Sequence, residues 1–600
     1  MLRRVEVKLK KNMKKILALL LCILILGSLT ACRLPKIGRR QDKPDTPVSN
    51  PLPIEIQLPG GSDTEPLDLE YYHYDASDFY KDLDKLTEED YSLYSSLYNE
   101  LLTMDELSSI AYIRYTENVN DTYYSDEYDY MNDLFLEAAD AFLTKCHDII
   151  SGGHGEEFRK FLNNDEMADL YLEYEPMTEE QRELNTKEND LIQQYYSQAD
   201  TLMDTSCTID GKTYTLEDVI GDGGDLFYLL HPDLYLEIYN QCLKNYNELV
   251  GETFVELVQV RDQIAKASGY ENYAEYADKE IYDRDYTEED LAAFKKTVKH
   301  FADDLQYYSY SFSDSSNNRD TDPEQLLRDC NLILSGISPL AKEAFGYFYQ
   351  NRLYSIGEEE NRLDGAYTIY LSNNKTAYSC IKEVGTVEDT ITLAHEFGHF
   401  AAFYFSKPDD PILSSSCLDV QEIHSQGLQL LFSEKADSLF GSNPNNTKAA
   451  NVAHMASAIL DGCILDDWQR EVYKNPDMTL SEMNACFERI EKEYGSDDYP
   501  GLEYLWTDIR HNFDSPMYYI SYAISAIGAL EIWHVSQSDY DRAVRIWENL
   551  VNSDIYHDDY TTIVENAGLK SFADKEATYD TLDDMTTFLA DALYGSSTEY

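Results

Sequence analysis

Apolar residues spaced three and four apart recur along most of this 600-residue chain, and this spacing constrains the fold more than any other feature. It runs from about residue 67 to the C-terminus, and one clear stretch comprises Met131, Leu134, Phe135, Ala138, Phe142, Cys146 and Ile149. Such spacing places apolar side chains on one face of an α-helix, and Ser151-Gly-Gly then ends the stretch as helix C-termini commonly end. We find no internal repeat and no second linker beyond residue 67. The sequence therefore predicts one large, mainly α-helical domain over residues 67–600.

The first 31 residues have the composition of an export signal. A basic N-terminal region precedes an apolar stretch, residues 16–26, that is too short for a comfortable membrane span. Leu29-Thr-Ala-Cys32 follows and resembles the lipobox of bacterial lipoproteins, in which cleavage precedes a cysteine that is then acylated. We therefore expect an exported protein that begins at Cys32 and is lipid-anchored to the outer face of the bacterial cell membrane. An ordinary signal peptide and an uncleaved anchor are the alternatives.

Residues 32–66 form a segment rich in proline, with Gly60-Gly61 near its end and without aromatic residues. A proline-rich segment is extended and semi-rigid. The sequence therefore predicts a tether that lifts the following domain away from the membrane surface.

The chain is strongly acidic, with a formal net charge of −64 at pH 7. Nucleic acid is excluded as a partner because phosphate binding requires a basic face. Anionic lipid headgroups would also repel the domain, which agrees with a tether that holds it off the membrane. Solubility or adaptation to salt accounts for the same charge.

Eight of the ten cysteines lie beyond residue 67 at irregular spacings, without a C-x-x-C pair. A domain of this length buries a large core without covalent cross-links, so we expect mainly buried thiols. No G-x-S-x-G motif and no phosphate-binding loop is present.

The segment Thr392-Leu-Ala-His-Glu-Phe-Gly-His-Phe400 contains the motif H-E-x-x-H. On a helix, His395 and His399 lie one turn apart on one face, so both imidazoles can bind a single metal ion. Glu396 lies further round the helix, where it is better placed to accept a proton from water than to bind the ion. The motif therefore predicts a zinc hydrolase, whereas the alternative is an amphipathic helix with two unrelated histidines.

The third metal ligand must come from elsewhere, because Ala402 and Phe405 replace the Gly and His of the metzincin continuation. The next strongly helical segment, residues 418–432, offers Glu422, and Ser425 and Gln426 share its face and could bond its carboxylate. The other candidates from this region are Asp419, which is the runner-up, and the weaker His424 and Glu434.

A short β-hairpin is predicted immediately before the motif. Residues 365–371 and 377–381 alternate in the manner of strands, and Ser372-Asn-Asn-Lys between them has the composition of a turn.

These features together resemble the thimet oligopeptidase and oligoendopeptidase F family of zinc metallopeptidases. The resemblance begins with the segment from Gly385 to His399 and the E-x-x-S from Glu422 to Ser425. It extends over about residues 67–593 and includes Arg261-Asp-Gln-Ile-Ala-Lys-Ala-Ser-Gly-Tyr-Glu-Asn-Tyr273, Gly365-Ala-Tyr-Thr368, and His511 with Ser515-Pro-Met-Tyr-Tyr-Ile-Ser-Tyr522. The interval between His399 and Glu422 is slightly shorter than in some members.

The resemblance implies a mainly α fold: a large two-lobed helical ellipsoid with a deep central channel and a small β-hairpin beside the active-site helix. It also implies one Zn²⁺ per chain, bound by His395, His399 and Glu422. The implied reaction is hydrolysis of short peptides, because a channel excludes folded proteins. Glu396 would act as the general base.

Further residues take their expected functions from the same resemblance. His511 and Tyr522 resemble the family's oxyanion donors, and Tyr519 or Tyr518 would assist them or contact the substrate. The segment that begins Ala377-Tyr378-Ser379 resembles an edge strand on which an extended peptide pairs through its main chain. Ser515-Pro516 has the sequence of an N-cap and first residue of a helix, which would place Tyr519 and Tyr522 one turn apart.

Two other functions compete with an endopeptidase. A helical zinc carboxypeptidase or dipeptidase would share H-E-x-x-H and a remote Glu, although the His511 and tyrosine segment favours the endopeptidase. A catalytically inactive, peptide-binding surface lipoprotein would have no need of Glu396, which the chain retains.

Overall fold

The computed structural model describes residues 67–595 apart from residues 68, 175, 200, 222–223, 313–321, 409–415, 442 and 497–500. The predicted signal peptide, Cys32 and the tether lie outside the described residues. Among the helices described, none has the length and apolar character needed to cross a membrane. The described chain is mainly α-helical, as predicted, with one two-stranded and one three-stranded sheet.

The N-terminal part of the chain contains helices and one hairpin. Its elements are α1 (Ser77–Leu83), α2 (Tyr94–Glu117), α3 (Thr122–Ser151), α4 (Gly155–Leu162), α5 (Asp165–Glu173), α6 (Glu179–Ala199), β1 (Ser206–Ile209), β2 (Lys212–Thr215), α7 (Glu217–Ile220), α8 (Gly224–Leu230), α9 (Pro232–Ala267), α10 (Tyr273–Tyr276), which continues as a π-helical turn (Ala277–Ile281), and α11 (Glu288–Ser311). Helices α1 to α5 enclose a hydrophobic core of their own. The predicted helical stretch of residues 131–149 lies within α3, which ends at Ser151 as expected.

The middle of the chain carries the sheet and two helices that position the candidate site. Its elements are α12 (Pro323–Ile337), α13 (Pro339–Gln350), β3 (Tyr354–Gly357), β4 (Ala366–Leu371), β5 (Thr376–Lys382), α14 (Glu388–Phe405) and α15 (Leu418–Ser433). Strands β4 and β5 pair antiparallel, with Thr368 opposite Ser379, which confirms the predicted hairpin.

Strand β3 makes the sheet larger than predicted. It pairs in parallel with β5, so the strand order is β3-β5-β4 and β5 lies in the centre. The expectation that residues 377–381 form an edge strand is therefore wrong, because both sides of β5 are already hydrogen-bonded within the sheet. Of the two strands in the hairpin, β4 is the one that lies at an edge of the sheet.

The C-terminal part is helical throughout its described residues. Its elements are α16 (Pro444–Lys474), α17 (Leu480–Glu493), a 3₁₀ turn (Leu502–Asp508), α18 (His511–Asp514), α19 (Tyr519–Ser538), α20 (Tyr540–Val551), α21 (Tyr560–Ala567) and α22 (Lys575–Tyr594). Helix α15 lies against α14 on one side and against α19 on another. Every residue from Asp419 to Ser433 is buried, so α15 is the central helix of this region.

The helix expected to open at Ser515-Pro516 begins later. Ser515 follows α18, Met517 adopts a left-handed backbone conformation with φ of 67°, and α19 begins at Tyr519. The carbonyl oxygens of Pro516 and Met517 accept hydrogen bonds from Tyr282 and Arg284, at 2.8 and 2.9 Å. These contacts with a distant segment hold the chain out of the helical conformation that the sequence favours locally.

All eight cysteines in the described chain are free thiols, and seven of them are buried, as predicted.

Candidate metal centre

Helix α14 begins in a turn that is fixed by one of its own side chains. The carboxylate of Asp389 accepts hydrogen bonds from the backbone N–H groups of Val384, Gly385 and Thr386, at 2.8, 3.0 and 3.1 Å. An acidic side chain in the first turn also interacts favourably with the positive end of the helix dipole. The carboxylate of Asp389 therefore helps to define where the helix starts.

The structure brings the three predicted ligands together. His395 and His399 lie one turn apart on α14, with ring centroids 5.0 Å apart. Glu422 on α15 places its Oε2 3.2 Å from Nε2 of His395 and 3.6 Å from Nε2 of His399. One ligand atom from each residue lies within 4.8 Å of the other two. Two imidazole nitrogens and one carboxylate oxygen are the donor set of catalytic zinc sites, which keep a fourth position open.

The two helices approach closely enough for this arrangement because Gly398 lies at their contact. A Cβ atom at this position would lie 2.5 Å from Cα of Ser425 and 2.9 Å from the carbonyl oxygen of His424. Both neighbours are backbone atoms that cannot rotate away. The glycine inside the motif therefore allows α15 to bring Glu422 to the histidines.

The electrostatics of the cluster suit a cation. Burial opposes the charge on Glu422, but the neighbouring His399 and the hydrogen bond with His395 outweigh it and lower the pKa of Glu422. Burial also opposes a proton on His395, whereas the hydrogen bond to Glu422 and its charge raise the pKa of His395. Burial lowers the pKa of His399 to about 4, so this imidazole is neutral near pH 7. A carboxylate that stays ionised beside two imidazoles is a donor set that a cation would stabilise.

A chain of polar side chains orients His395. Its Nδ1 lies 2.8 Å from Oε1 of Gln429, and the amide nitrogen of Gln429 donates to Asn451. Because an amide oxygen only accepts, Nδ1 must carry a proton and donate it, which leaves Nε2 free to face the ion. Gln429 was not predicted, since its position seven residues beyond Glu422 has meaning only once α14 and α15 are packed together.

The predicted partners of the Glu422 carboxylate are present in part. The hydroxyl of Ser425 donates to Oε2 of Glu422 at 2.9 Å, as expected. The Oε1 atom of Gln426 has no hydrogen-bond partner in the described chain.

Glu396 is buried beside the cluster, and its carboxylate accepts a hydrogen bond from the three-stranded sheet. The hydroxyl of Thr368 on β4 donates to Oε2 of Glu396 at 2.8 Å and lies 2.8 Å from the hydroxyl of Ser379. Burial raises the pKa of Glu396 to about 7, although the positive charge of His395 and the bond from Thr368 oppose the rise. Thr368 was not predicted as a site residue, although it lies in the Gly365-Ala-Tyr-Thr368 segment of the resemblance.

A cavity opens at this cluster. It is lined by Tyr367, Thr368, His395, Glu396, His399, Phe403, Gln421 and Glu422. The edge strand β4 therefore contributes to the cavity wall.

The residues expected to bind substrate on β5 are instead part of the sheet interior. Ala377 and Ser379 are buried, and the hydroxyl of Tyr378 donates to the carbonyl oxygen of Tyr354 on β3 at 3.1 Å. The edge-strand premise of their assignment as substrate contacts is therefore wrong, because β5 is central.

His511 and the three tyrosines form a second cluster. Nε2 of His511 lies 3.4 Å from the hydroxyl of Tyr522, and the rings of His511 and Tyr518 stack with centroids 5.7 Å apart. The rings of Tyr519 and Tyr522 are 5.2 Å apart, one turn from each other on α19. Burial lowers the pKa of His511, which is therefore neutral at pH 7. None of the four is among the residues that line the cavity.

The competing third ligands are engaged elsewhere. The Asp419 carboxylate accepts hydrogen bonds from Tyr286 and Ser521, at 2.8 and 2.5 Å. Glu434 lies 3.8 Å from the ammonium group of Lys448. His424 is buried, and its Nε2 has no hydrogen-bond partner in the described chain. Among the candidates from this helix, Glu422 is the one placed against both histidines.

Neither a protein-family model nor a curated protein sequence matches this chain. Solved structures do match it along most of its length. A structure of PZ peptidase A with an inhibitor is 20% identical in sequence and aligns with a TM-score of 0.69, covering 87% of this chain and 98% of that one.

Two candidate oligoendopeptidase F structures are similarly close. One is 21% identical with a TM-score of 0.68, and another, from Bacillus anthracis, is 20% identical with a TM-score of 0.65. Each covers 87% of this chain and 97% of its own. At such identities the likeness establishes the fold, and the chemistry has to be argued from the site. The chain therefore has the fold that the oligoendopeptidase F and PZ peptidase structures share.

Proposed function

We propose that this protein is a zinc-dependent endopeptidase that hydrolyses short peptides. The observation that carries the proposal is the convergence of His395, His399 and Glu422 within 4.8 Å of one another, beside the buried carboxylate of Glu396. A peptide-binding protein without chemistry needs neither the ligand set nor a buried base. The names of the structural neighbours, which are peptidases, support peptides as the substrate class.

The ligand set fits zinc, and a zinc ion bound there supplies Lewis acidity to a water molecule and to the scissile carbonyl group. The protein's own residues do the remaining work. Glu396 accepts the proton of the attacking water and delivers it to the leaving amine. Thr368 fixes the orientation of the Glu396 carboxylate through its hydrogen bond. Burial raises the pKa of Glu396, which favours its acceptance of that proton.

His511 and Tyr522 are the proposed donors to the oxyanion. Both are buried and adjacent, and a hydroxyl or imidazole N–H held in place stabilises developing charge without having to reorganise. None of these side chains lines the cavity, so rotation of the His511 and Tyr522 side chains would have to bring the donors to the substrate carbonyl while α15 and α19 keep their positions.

The substrate strand is reassigned to β4. This strand pairs with β5 on one side and with no strand of the described chain on its other side. It also carries Thr368 into the cavity wall. An extended peptide paired with β4 would gain main-chain hydrogen bonds without selection of side chains.

Export and lipid anchoring at Cys32 remain part of the proposal, on the strength of Leu29-Thr-Ala-Cys alone. Mass determination of the mature N-terminus tests this part. A mature N-terminus at any residue other than Cys32 would contradict it.

The central experiment combines metal analysis with product identification. We expect one zinc ion per purified chain, and internal cleavage of an oligopeptide whose termini are both blocked. Glu422→Ala should lose the metal, whereas Glu396→Gln should keep the metal and lose turnover. Products that arise only from peptides with free termini would instead indicate a carboxypeptidase or dipeptidase. Bound zinc with no product from any peptide would contradict the enzymatic proposal.

A further inference from the structure

Asp419 lies one turn before Glu422 on α15 and is buried in contacts with two other segments. Its Oδ2 accepts a hydrogen bond from the hydroxyl of Tyr286 at 2.8 Å, and its Oδ1 accepts one from the hydroxyl of Ser521 at 2.5 Å. Its backbone carbonyl accepts a third, from Ser525, at 2.9 Å. Ser521 and Ser525 are one turn apart on α19. A single residue of α15 therefore binds two successive turns of α19.

Arg284 completes this contact. Its guanidinium is fully buried and donates to the hydroxyl of Ser521 at 3.0 Å and to the carbonyl of Met517 at 2.9 Å. Its Nε lies 3.7 Å from Oδ2 of Asp419, and Asp278 accepts a further bond from it at 2.8 Å. Arg284 thus donates hydrogen bonds to the start of α19 and to the turn before it, and forms an ion pair with Asp419 in which Nε makes no hydrogen bond within the described chain.

The location of these contacts links the two halves of the candidate site. Glu422, the proposed metal ligand, is three residues after Asp419, and Tyr522, the proposed oxyanion donor, directly follows Ser521. Met517, whose backbone is left-handed and whose carbonyl accepts the hydrogen bond from Arg284, directly precedes Tyr518 and Tyr519. Buried hydrogen bonds to charged groups are stronger than those between neutral groups, so the buried carboxylate and guanidinium resist movement of α15 relative to α19.

We propose that Asp419 is a positioning residue, which sets the separation between Glu422 and Tyr522 by fastening α15 to the first turns of α19. The inference rests on the proposed function for the identity of the two groups that it positions. In this proposal Asp419 itself contacts neither the substrate nor the metal. A displacement of about 1 Å at a catalytic group is enough to cost on the order of a hundredfold in rate.

The test is a double-mutant cycle with Asp419→Asn and Tyr522→Phe. In the otherwise wild-type protein, Asp419→Asn should keep one zinc ion, change KM by less than about threefold and lower kcat by about 10- to 100-fold. In the Tyr522→Phe background the same change should lower kcat by less than about threefold, because the group it positions is already absent. Ser521→Ala, a milder change that leaves the carboxylate in place, should show the same non-additivity with a smaller loss.

Asp466→Asn is the matched control. Asp466 is an equally buried carboxylate on α16 that accepts bonds from Lys295 and from Arg470, the latter at 2.8 Å. Its loss should lower the melting temperature as Asp419→Asn does but leave kcat within about threefold of wild type. An equal kcat loss in Asp466→Asn and in Asp419→Asn would show that general destabilisation is responsible, and would overturn the inference.

Three further outcomes overturn the inference: an unchanged kcat in Asp419→Asn, loss of zinc from it, or the same loss of kcat in the Tyr522→Phe background as in wild type. A crystal structure of Asp419→Asn adds a readout independent of turnover. We expect the Tyr522 hydroxyl to move by about 1 Å or more relative to Glu422 while Glu422 stays beside the two histidines. Failure of the proposed function can be told apart from failure of this inference. It would be seen in the wild-type and Tyr522→Phe proteins, before Asp419 is changed.

Discussion

The hydrogen bond between Gln429 and His395 determines which nitrogen of that imidazole faces the metal centre. The side-chain amide of Gln429 is held in one orientation because its nitrogen donates to Asn451. Its oxygen therefore points at Nδ1 of His395. We expect Gln429→Leu to weaken zinc binding by about 10- to 100-fold, because the ring loses both its orientation and its fixed tautomer. Competition with a chelator of known affinity measures the change.

Gln426 provides the control for that prediction. It lies on the same buried helix, and its Oε1 has no hydrogen-bond partner in the described chain. Gln426→Leu should therefore leave zinc affinity within about threefold of wild type. Equal losses in both variants would place the effect in the packing of α15 and not in the orientation of His395.

Tyr522 is the residue for which a catalytic and a structural explanation differ most clearly. A hydroxyl that bonds only the developing oxyanion stabilises the transition state and not the bound substrate. We expect Tyr522→Phe to lower kcat by about 10²–10³, with KM nearly unchanged and zinc retained. Steady-state kinetics on a blocked oligopeptide, with metal analysis of the same sample, measure all three.

Tyr519→Phe is the comparison, because its ring lies against that of Tyr522 on the same helix. If Tyr519→Phe loses turnover while Tyr522→Phe does not, the oxyanion donor is Tyr519. If both variants turn over like wild type, the tyrosines belong to the hydrophobic core and the oxyanion part of the proposal is wrong.

Among the secondary-structure elements, the contact between α14 and α15 is the one on which the metal centre depends. Gly398→Ala would place a Cβ atom 2.5 Å from the backbone of Ser425, so the helices must separate. We expect the free energy of unfolding to fall by about 1–3 kcal/mol. Zinc affinity should fall in the same variant, because Glu422 moves away from the histidines. Denaturant unfolding and chelator competition measure the two effects.

Gly336→Ala is the control for the helix contact. Gly336 lies within α12, where an added Cβ would meet nothing within 4 Å. Alanine there should stabilise the protein by up to about 1 kcal/mol through its higher helix propensity, without a change in zinc affinity. Undiminished zinc binding in Gly398→Ala would show that α14 and α15 can separate without opening the ligand set.

The elements that could be predicted from the sequence are those set by local pattern. Alternation and turn composition predict the hairpin of β4 and β5, and two glycines predict the end of α3. The structure confirms both. Strand β3 has four residues and pairs with a strand more than twenty residues away, so nothing local marks it. The start of α19 was misplaced for the same reason, since Arg284 and Tyr282 determine the conformation at residues 516–517.

The candidate site divides along the same line. Glu422 became a candidate ligand from the sequence alone. The i, i+4 spacing of His395 and His399 indicated a metal site, and the next helical segment offered the carboxylate. Gln429 and Thr368 required the packing of α15 and β4 against α14, which spacing along the chain does not describe. The expectation that residues 377–381 form an edge strand failed because the parallel pairing of β3 with β5 has no local signal in the sequence.

Across the whole molecule, the net charge of −64 means that a carboxyl group removed from water ionises among many other negative charges. Burial and the nearby negative charge of Glu491 raise the pKa of Asp461 on α16 to about 7, against about 3.9 in an unfolded chain. The folded protein therefore retains a proton that the unfolded chain has lost. The stabilisation is complete below about pH 4 and is lost as the pH rises through 7.

We expect Asp461→Asn, which cannot ionise, to gain in melting temperature relative to wild type as the pH rises from 5 and to level off by about pH 8. Thermal unfolding of both proteins at intervals of one pH unit measures the difference. A constant difference for Asp461→Asn would mean that Asp461 ionises normally in the folded protein.

The burial of α15 from Asp419 to Ser433 also governs the route by which an ion would enter and leave. All three ligands line the cavity, but Glu422 is 7% exposed, whereas His395 and His399 on α14 are 23% and 12% exposed. The imidazole rings therefore offer solvent more exposed surface than the carboxylate does. Metal exchange would proceed from the cavity side, and a peptide bound along β4 would cover the exit and trap the ion for as long as it remained bound.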